Sequence, residues 1–136
     1  MKNRIYLLRI SYWAGAILDG LMVIPMLFPK VGGVLFGIPD FNPSVEYKYA
    51  MGVGASLMAG WTILLIWADR KPIERKGVLL ITVFPVILGL VVAGIYAVAQ
   101  NLIPIEKMVP TWIIQILLTT LFMYSFFSIN EKGGTL

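Results

Sequence analysis

Four apolar stretches, each near the ~20 residues needed to cross a ~30 Å hydrocarbon core, constrain this chain more than any other feature. They run from about Ile5 to Phe28, Tyr49 to Ala68, Gly77 to Ala99 and Val109 to Ile129. Backbone groups facing lipid need partners within their own segment, and spans this long and continuously apolar, joined by short links, do not form a closed barrel. The expected fold is therefore all-α: one domain, residues 1–136, a polytopic membrane protein with four transmembrane helices in an antiparallel bundle. Composition agrees, with 59% hydrophobic and only 13% charged residues, against roughly a quarter charged in a soluble domain. Disorder, which needs low hydrophobicity and high charge, is excluded by the same figures.

A secretory leader is the rival reading of the first stretch. Met1-Lys2-Asn3-Arg4 supplies a positive start and Ala14-Gly15-Ala16 mimics a cleavage site. Arg9 interrupts the apolar run between them, so a retained span is expected. Orientation follows from Lys and Arg at the span ends. Lys2, Arg4, Arg9, Arg70, Lys71, Arg75, Lys76 and Lys132 fall on one side, and Lys30, Lys48 and Lys107 on the other. The even number of spans then puts both termini in the cytoplasm. Aromatic residues fit two interface belts, with Tyr6, Trp67, Tyr124, Phe126 and Phe127 inside and Phe28, Tyr47, Tyr49 and Trp112 outside.

The links differ in character. Asp69 to Lys76 is short and basic, which makes the second and third spans neighbours; Arg70, Lys71, Arg75 and Lys76 are an orientation signal and candidate contacts to anionic lipid headgroups. Gln100–Met108 is short, with Pro104 as a helix breaker. Pro29–Lys48 is long and rather apolar, and its glycines and prolines argue against a fifth span. It is expected to lie in the interface or against the mouth of the bundle, a candidate lid or partner surface.

Asp19 is the most informative single residue. A carboxylate near the middle of a span costs ~3 kcal/mol on insertion scales, so it should face protein. Tyr12, Gly15, Asp19, Met22 and Met26 recur at helical spacing and define the inner face of the first span. By depth, counted at ~1.5 Å per residue, Ser56, Gln115 and Thr119 fall near the same layer, and Thr111, Gln115 and Thr119 share one face of the fourth span. Asp19, Tyr12, Ser56, Gln115 and Thr119 are the candidate ligand- or ion-binding set; the competing reading is a hydrogen-bonded structural aspartate among polar packing contacts. Gly52, Ser56 and Gly60 recur every four residues, as do Gly89, Ala93 and Ala97, and both rows are read as helix-packing ridges, with a dimer interface as the alternative. Pro25 and Pro85 fall inside spans, the latter leaving the carbonyl of Ile81 without its helical donor. Met22, Met26 and Met58, with Trp61 and Tyr96, give an adaptable apolar interior, by default a packed core and in the sharper reading a lipophilic cavity.

Absences narrow the chemistry. The chain has neither histidine nor cysteine, so disulfides, thiol catalysis and ordinary zinc, copper or haem ligation are not available. Asp19 is the single acid at depth, and no phosphate-cradling glycine loop occurs. No catalytic residue, metal or cofactor is predicted. The positive charges flank spans, so nucleic acid is not an expected partner; the bilayer is, and a homo-oligomer or a larger membrane complex is compatible with four short helices.

Arg9-Ile10 opening the first helix, Gly15 within it, a long outer loop, Gly52-Val53-Gly54-Ala55 leading the second span, and Trp67-Ala68-Asp69-Arg70 closing it before a basic turn form a pattern that resembles the DoxX-like group of small four-helix bacterial and archaeal membrane proteins. The resemblance implies the four-span layout. It also implies a role like that of members associated with membrane oxidoreductases as small subunits, and it carries no catalytic residue onto this chain. The expected function is a non-enzymatic accessory or subunit-like bundle holding a lipophilic molecule near Asp19. The alternatives are an oligomeric transporter or channel using Asp19 as a proton or cation group, and a membrane enzyme acting on a lipid-like substrate.

Overall fold

The computed structural model describes residues 2–130; Lys132, counted above among the inner charges, lies outside them, as do Met1 and Glu131. Among the described residues the fold is all-helical: α1 Lys2–Leu27, α2 Pro29–Phe36, α3 Val45–Asp69, α4 Gly77–Ile81, a π-helical segment Thr82–Ile87, α5 Leu88–Ala99 and α6 Ile105–Asn130. Four helical runs are long and apolar enough to cross a membrane: Lys2–Leu27, Val45–Asp69, Gly77–Ala99 and Ile105–Ile129.

The run boundaries follow local chemistry. Leu27 ends α1 just before Pro29, which sits in the first turn of α2, where its missing N–H is not needed. Gly37 closes α2 at φ 68°. The Gly37 N–H donates to the Val34 carbonyl and the Ile38 N–H to the Gly33 carbonyl, at 3.4 and 2.8 Å. This left-handed C-terminal cap favours glycine. Ser44 caps α3, its hydroxyl accepting from the Tyr47 N–H at 3.3 Å. That cap starts the second span four residues earlier than hydropathy indicates, because charged Glu46 and Lys48 lie within the first turn. The fourth span likewise begins at Ile105, directly after Pro104, with Glu106 and Lys107 in its first turn.

In the third span, Pro85 lies within the π-helical segment. Proline lacks the N–H that an α-helix would use and its ring crowds the preceding turn; the wider π turn accommodates both. Thr82 steadies this stretch by donating its hydroxyl to the Val78 carbonyl at 2.7 Å and accepting the Trp61 indole N–H at 3.1 Å.

α1 is the central helix and packs most extensively on α3, then on α6. Contacts reverse in order along each pair, as for oppositely directed helices. On α3, Trp13 meets Asp69 and Gly15 lies against Leu65, Gly20 against Thr62 and Met26 against Gly54. On α6, Arg4 donates to the Ser128 carbonyl, Ser11 meets Ser125 and Gly15 lies against Phe122.

The tightly packed core occupies the half of the bundle nearest the N-terminus and the 70–76 link. Leu8, Tyr12, Ala16, Leu65, Ala68, Leu79, Val83, Ile87 and Phe122 form it. Ser11 and Ser125 share a buried hydroxyl–hydroxyl hydrogen bond of 2.7 Å, and Tyr12 reaches the Pro72 carbonyl at 3.0 Å. Arg9 is 3.6 Å from Asp69, which also accepts the Trp13 indole N–H at 3.3 Å. The residue that interrupts the first apolar run is thus tied to the end of the second.

The opposite half is looser. Beyond the π turn, α5 packs on α6 rather than on α1 or α3. Gly94 sets this contact: a Cβ there would stand 3.0 Å from the Trp112 indole nitrogen and 3.3 Å from the Met108 sulfur. Trp112 therefore packs against a neighbouring helix. The wedge left between α5 and α1 is covered at its outer end by α2.

Candidate functional site: an apolar cavity holding two unpartnered oxygens

The wedge is a cavity of about 320 Å³. Its floor is built by Gly15, Thr82, Ile87 and Phe122, the upper edge of the packed core. Its walls are Leu18, Met22, Met58, Leu90, Ala93, Ala97, Ile114 and Leu118, and Phe36, Ile103 and Met108 stand at the outer end. Asp19 from α1 and Gln115 from α6, with Thr111 one turn before it, enter this otherwise apolar lining. A floor at Gly15 exists because that position has no side chain: a Cβ would stand 3.0 Å from both Leu65 and Phe122.

The two polar groups are not consumed by the fold. Asp19 Oδ2 and Gln115 Oε1 are buried and have no hydrogen-bond partner. Gln115 is only 9% exposed. A structural aspartate holding helices in register would be hydrogen-bonded, since an unsatisfied buried acceptor costs about 1–3 kcal/mol. The hydrogen bonds that do join helices, Ser11–Ser125 and Trp61–Thr82 among them, involve neither oxygen.

The remaining members of the candidate set are placed differently. Tyr12 is fully buried in the core, its hydroxyl spent on Pro72, so the stripe Tyr12–Gly15–Asp19–Met22 crosses from packed core into cavity. Ser56 is exposed, its hydroxyl donating to the Val53 carbonyl in its own helix at 2.8 Å. Thr119 does not line the cavity: it lies between Gln115 and Phe122 along α6 but off the face that carries Thr111, Gln115, Leu118 and Phe122 into the lining.

The small-residue rows also divide. At Gly52, Gly60 and Gly89 an added Cβ would meet nothing within 4 Å, and Ser56 is exposed with them; these positions face away from the rest of the chain. Close helix approach instead uses Gly15, Gly54 and Gly94, while Ala93 and Ala97 line the cavity. Among the aromatics, Tyr96 is 67% exposed and lies outside the cavity, whereas Trp61 packs against the core.

The basic link is partly self-engaged. The Arg75 guanidinium stacks over the Trp67 ring, 3.3 Å from its centroid, and donates to the Trp67 carbonyl. Lys71 pairs with Glu74 at 3.0 Å, and the Lys76 ammonium stands 5.3 Å from the Phe126 ring. Arg70 is exposed. Among the described residues, no group of three or more potential metal ligands is brought together.

Comparison with family models, with curated proteins and with solved structures finds no match to this chain.

Proposed function

We propose that this chain is an integral protein of the cell membrane that carries a lipophilic small molecule in its outer-half cavity, as a non-enzymatic accessory or subunit-like component. The observation that carries this reading is the pair of unpartnered buried oxygens on Asp19 and Gln115, two residues that line a cavity whose other walls are almost wholly apolar. Small-molecule sites have this composition: apolar walls with a few polar groups that fix orientation. Holding fits better than conduction, because the core around Leu8, Tyr12, Leu79 and Phe122 closes the other end. It fits better than catalysis, because a lone carboxylate lacks a second acid–base group.

Both termini are assigned to the cytoplasm by the excess of Lys and Arg on their side. The proximity of Arg9 to Asp69 supports that assignment by keeping Arg9 with the charges of the 70–76 link. Membership of the DoxX-like group belongs to the same proposal and supplies its subunit-like element, exercised in a homo-oligomer or larger membrane complex.

The test is saturable binding of an apolar, environment-sensitive fluorophore to the protein in nanodiscs, with empty nanodiscs as the reference. Wild type should bind about one equivalent per chain. Ala97→Phe, which puts a ring into the cavity, should lose at least tenfold in affinity. Equal binding by wild type and Ala97→Phe would sink the reading.

A further inference from the structure

The chemistry of the orphaned atoms restricts what the cavity can hold, given the proposal that it holds a ligand at all. The unpartnered atoms of two lining residues, Asp19 Oδ2 and Gln115 Oε1, are hydrogen-bond acceptors. An ionised carboxylate accepts only, and so does an amide oxygen. A ligand ending in a carbonyl or ether would leave both oxygens unsatisfied. A hydroxyl has one proton and satisfies one. A primary or secondary ammonium has at least two N–H donors and can satisfy both.

Charge points the same way. No lysine or arginine lines the cavity. The nearest basic residue along α1, Arg9, is engaged with Asp69, and the other described cations lie at span ends or in links. A carboxylate at this depth needs a counter-charge, and nothing in the lining supplies it. The two lining hydroxyls, Thr82 and Thr111, carry no charge to neutralise Asp19, and Thr82 is already engaged with Val78 and Trp61.

We infer that the ligand of this cavity is a lipophilic amine, an alkyl or ring system bearing a primary or secondary ammonium group, bound head-first at Asp19 and Gln115. The ammonium donates to both oxygens, and its charge is balanced by the carboxylate. Its apolar body lies along Met22, Met58 and Leu90, side chains that line the wall, two of them flexible thioethers able to fit varied shapes. The volume, about 320 Å³, lies at the small end of ligand pockets, so the bound portion is compact.

Three twelve-carbon probes separate the contributions: dodecylamine, with charge and N–H donors; dodecyltrimethylammonium, with charge and no donor; and dodecanol, with one donor and no charge. Each displaces the fluorophore from protein in zwitterionic nanodiscs, with partitioning corrected on empty nanodiscs. Dodecylamine is expected to displace at a concentration at least tenfold lower than dodecanol, equivalent to about 1.4 kcal/mol, and several-fold lower than the quaternary probe. Asp19→Asn should erase the advantage over dodecanol, and Gln115→Leu should shrink the advantage over the quaternary probe, each advantage being read as a ratio of displacing concentrations within one variant and both variants keeping wild-type helicity. Equal displacement by amine and alcohol, or an amine preference that survives Asp19→Asn, overturns the amine inference while leaving the cavity as a binding site. Failure of the fluorophore itself to bind overturns both.

Discussion

Replacing Asp19 with leucine should make the ligand-free protein more stable, and the sign of this change distinguishes a site residue from a structural one. Asp19 Oδ2 is buried without a partner, and no cation lines the cavity beside it. An unsatisfied buried acceptor costs about 1–3 kcal/mol, and insertion scales put an aspartate at mid-span near ~3 kcal/mol. Leucine is close in size and projects into a cavity already walled by Leu18, Met22 and Met58, so it adds apolar contact without displacing a helix. The expected gain is about 1–3 kcal/mol in unfolding free energy. Asparagine, which removes the charge and keeps the polar group, should give a smaller gain. The assay is equilibrium unfolding of delipidated protein in mixed micelles of mild detergent and dodecyl sulfate, followed by tryptophan fluorescence and far-ultraviolet dichroism. A loss of 1 kcal/mol or more in Asp19→Leu would mean that the carboxyl is a structural fastener, and the ligand-holding account would fall with it.

Three further outcomes follow from the same contacts. A double-mutant cycle on Ser11→Ala and Ser125→Ala, read by the same unfolding assay, should give a coupling of about 0.5–1.5 kcal/mol for the buried 2.7 Å hydroxyl pair; additivity within error would deny that bond. Deleting Phe84, an exposed residue of the π-helical segment, should remove the wide turn, restore a regular α-helix and change the direction in which α5 leaves α4. Fluorophore binding should then fall at least tenfold with helicity unchanged, and unaltered binding would show that the π turn does not shape the cavity. In intact cells, an impermeant thiol reagent should label Lys30→Cys and spare Lys71→Cys; the reverse pattern would invert the assigned orientation.

The sequence displays the spans because a bilayer-length apolar run has few alternative folds, and Asp19 and Gln115 because a polar group at depth stands out against its neighbours. The cavity is legible in part: Pro85 marks a disturbance in the third span, though not the π turn that absorbs it or the direction in which α5 leaves α1. Ser56 and Thr119 share the depth of Asp19, and depth says nothing about azimuth; one is exposed and the other lies off the face of α6 that lines the cavity. The small-residue rows divide for a related reason. In a membrane helix both the lipid face and the packed face are apolar, so periodicity alone does not distinguish Gly52 and Gly60, where an added Cβ would meet nothing within 4 Å, from Gly54 and Gly94, where it would meet a neighbouring helix. Arg9 illustrates the opposite case: as composition it interrupts an apolar run, and only the fold brings it to Asp69, sixty residues along the chain.

Native mass spectrometry of the protein purified in mild detergent tests the central claim most directly. Wild type should carry one small lipophilic molecule per chain that persists at collision energies stripping detergent and annular lipid, and Ala97→Phe, with a ring intruding into the cavity, should fly bare. A wild-type chain released without such an adduct, and still bare after incubation with cell-membrane lipid extract, would contradict the account.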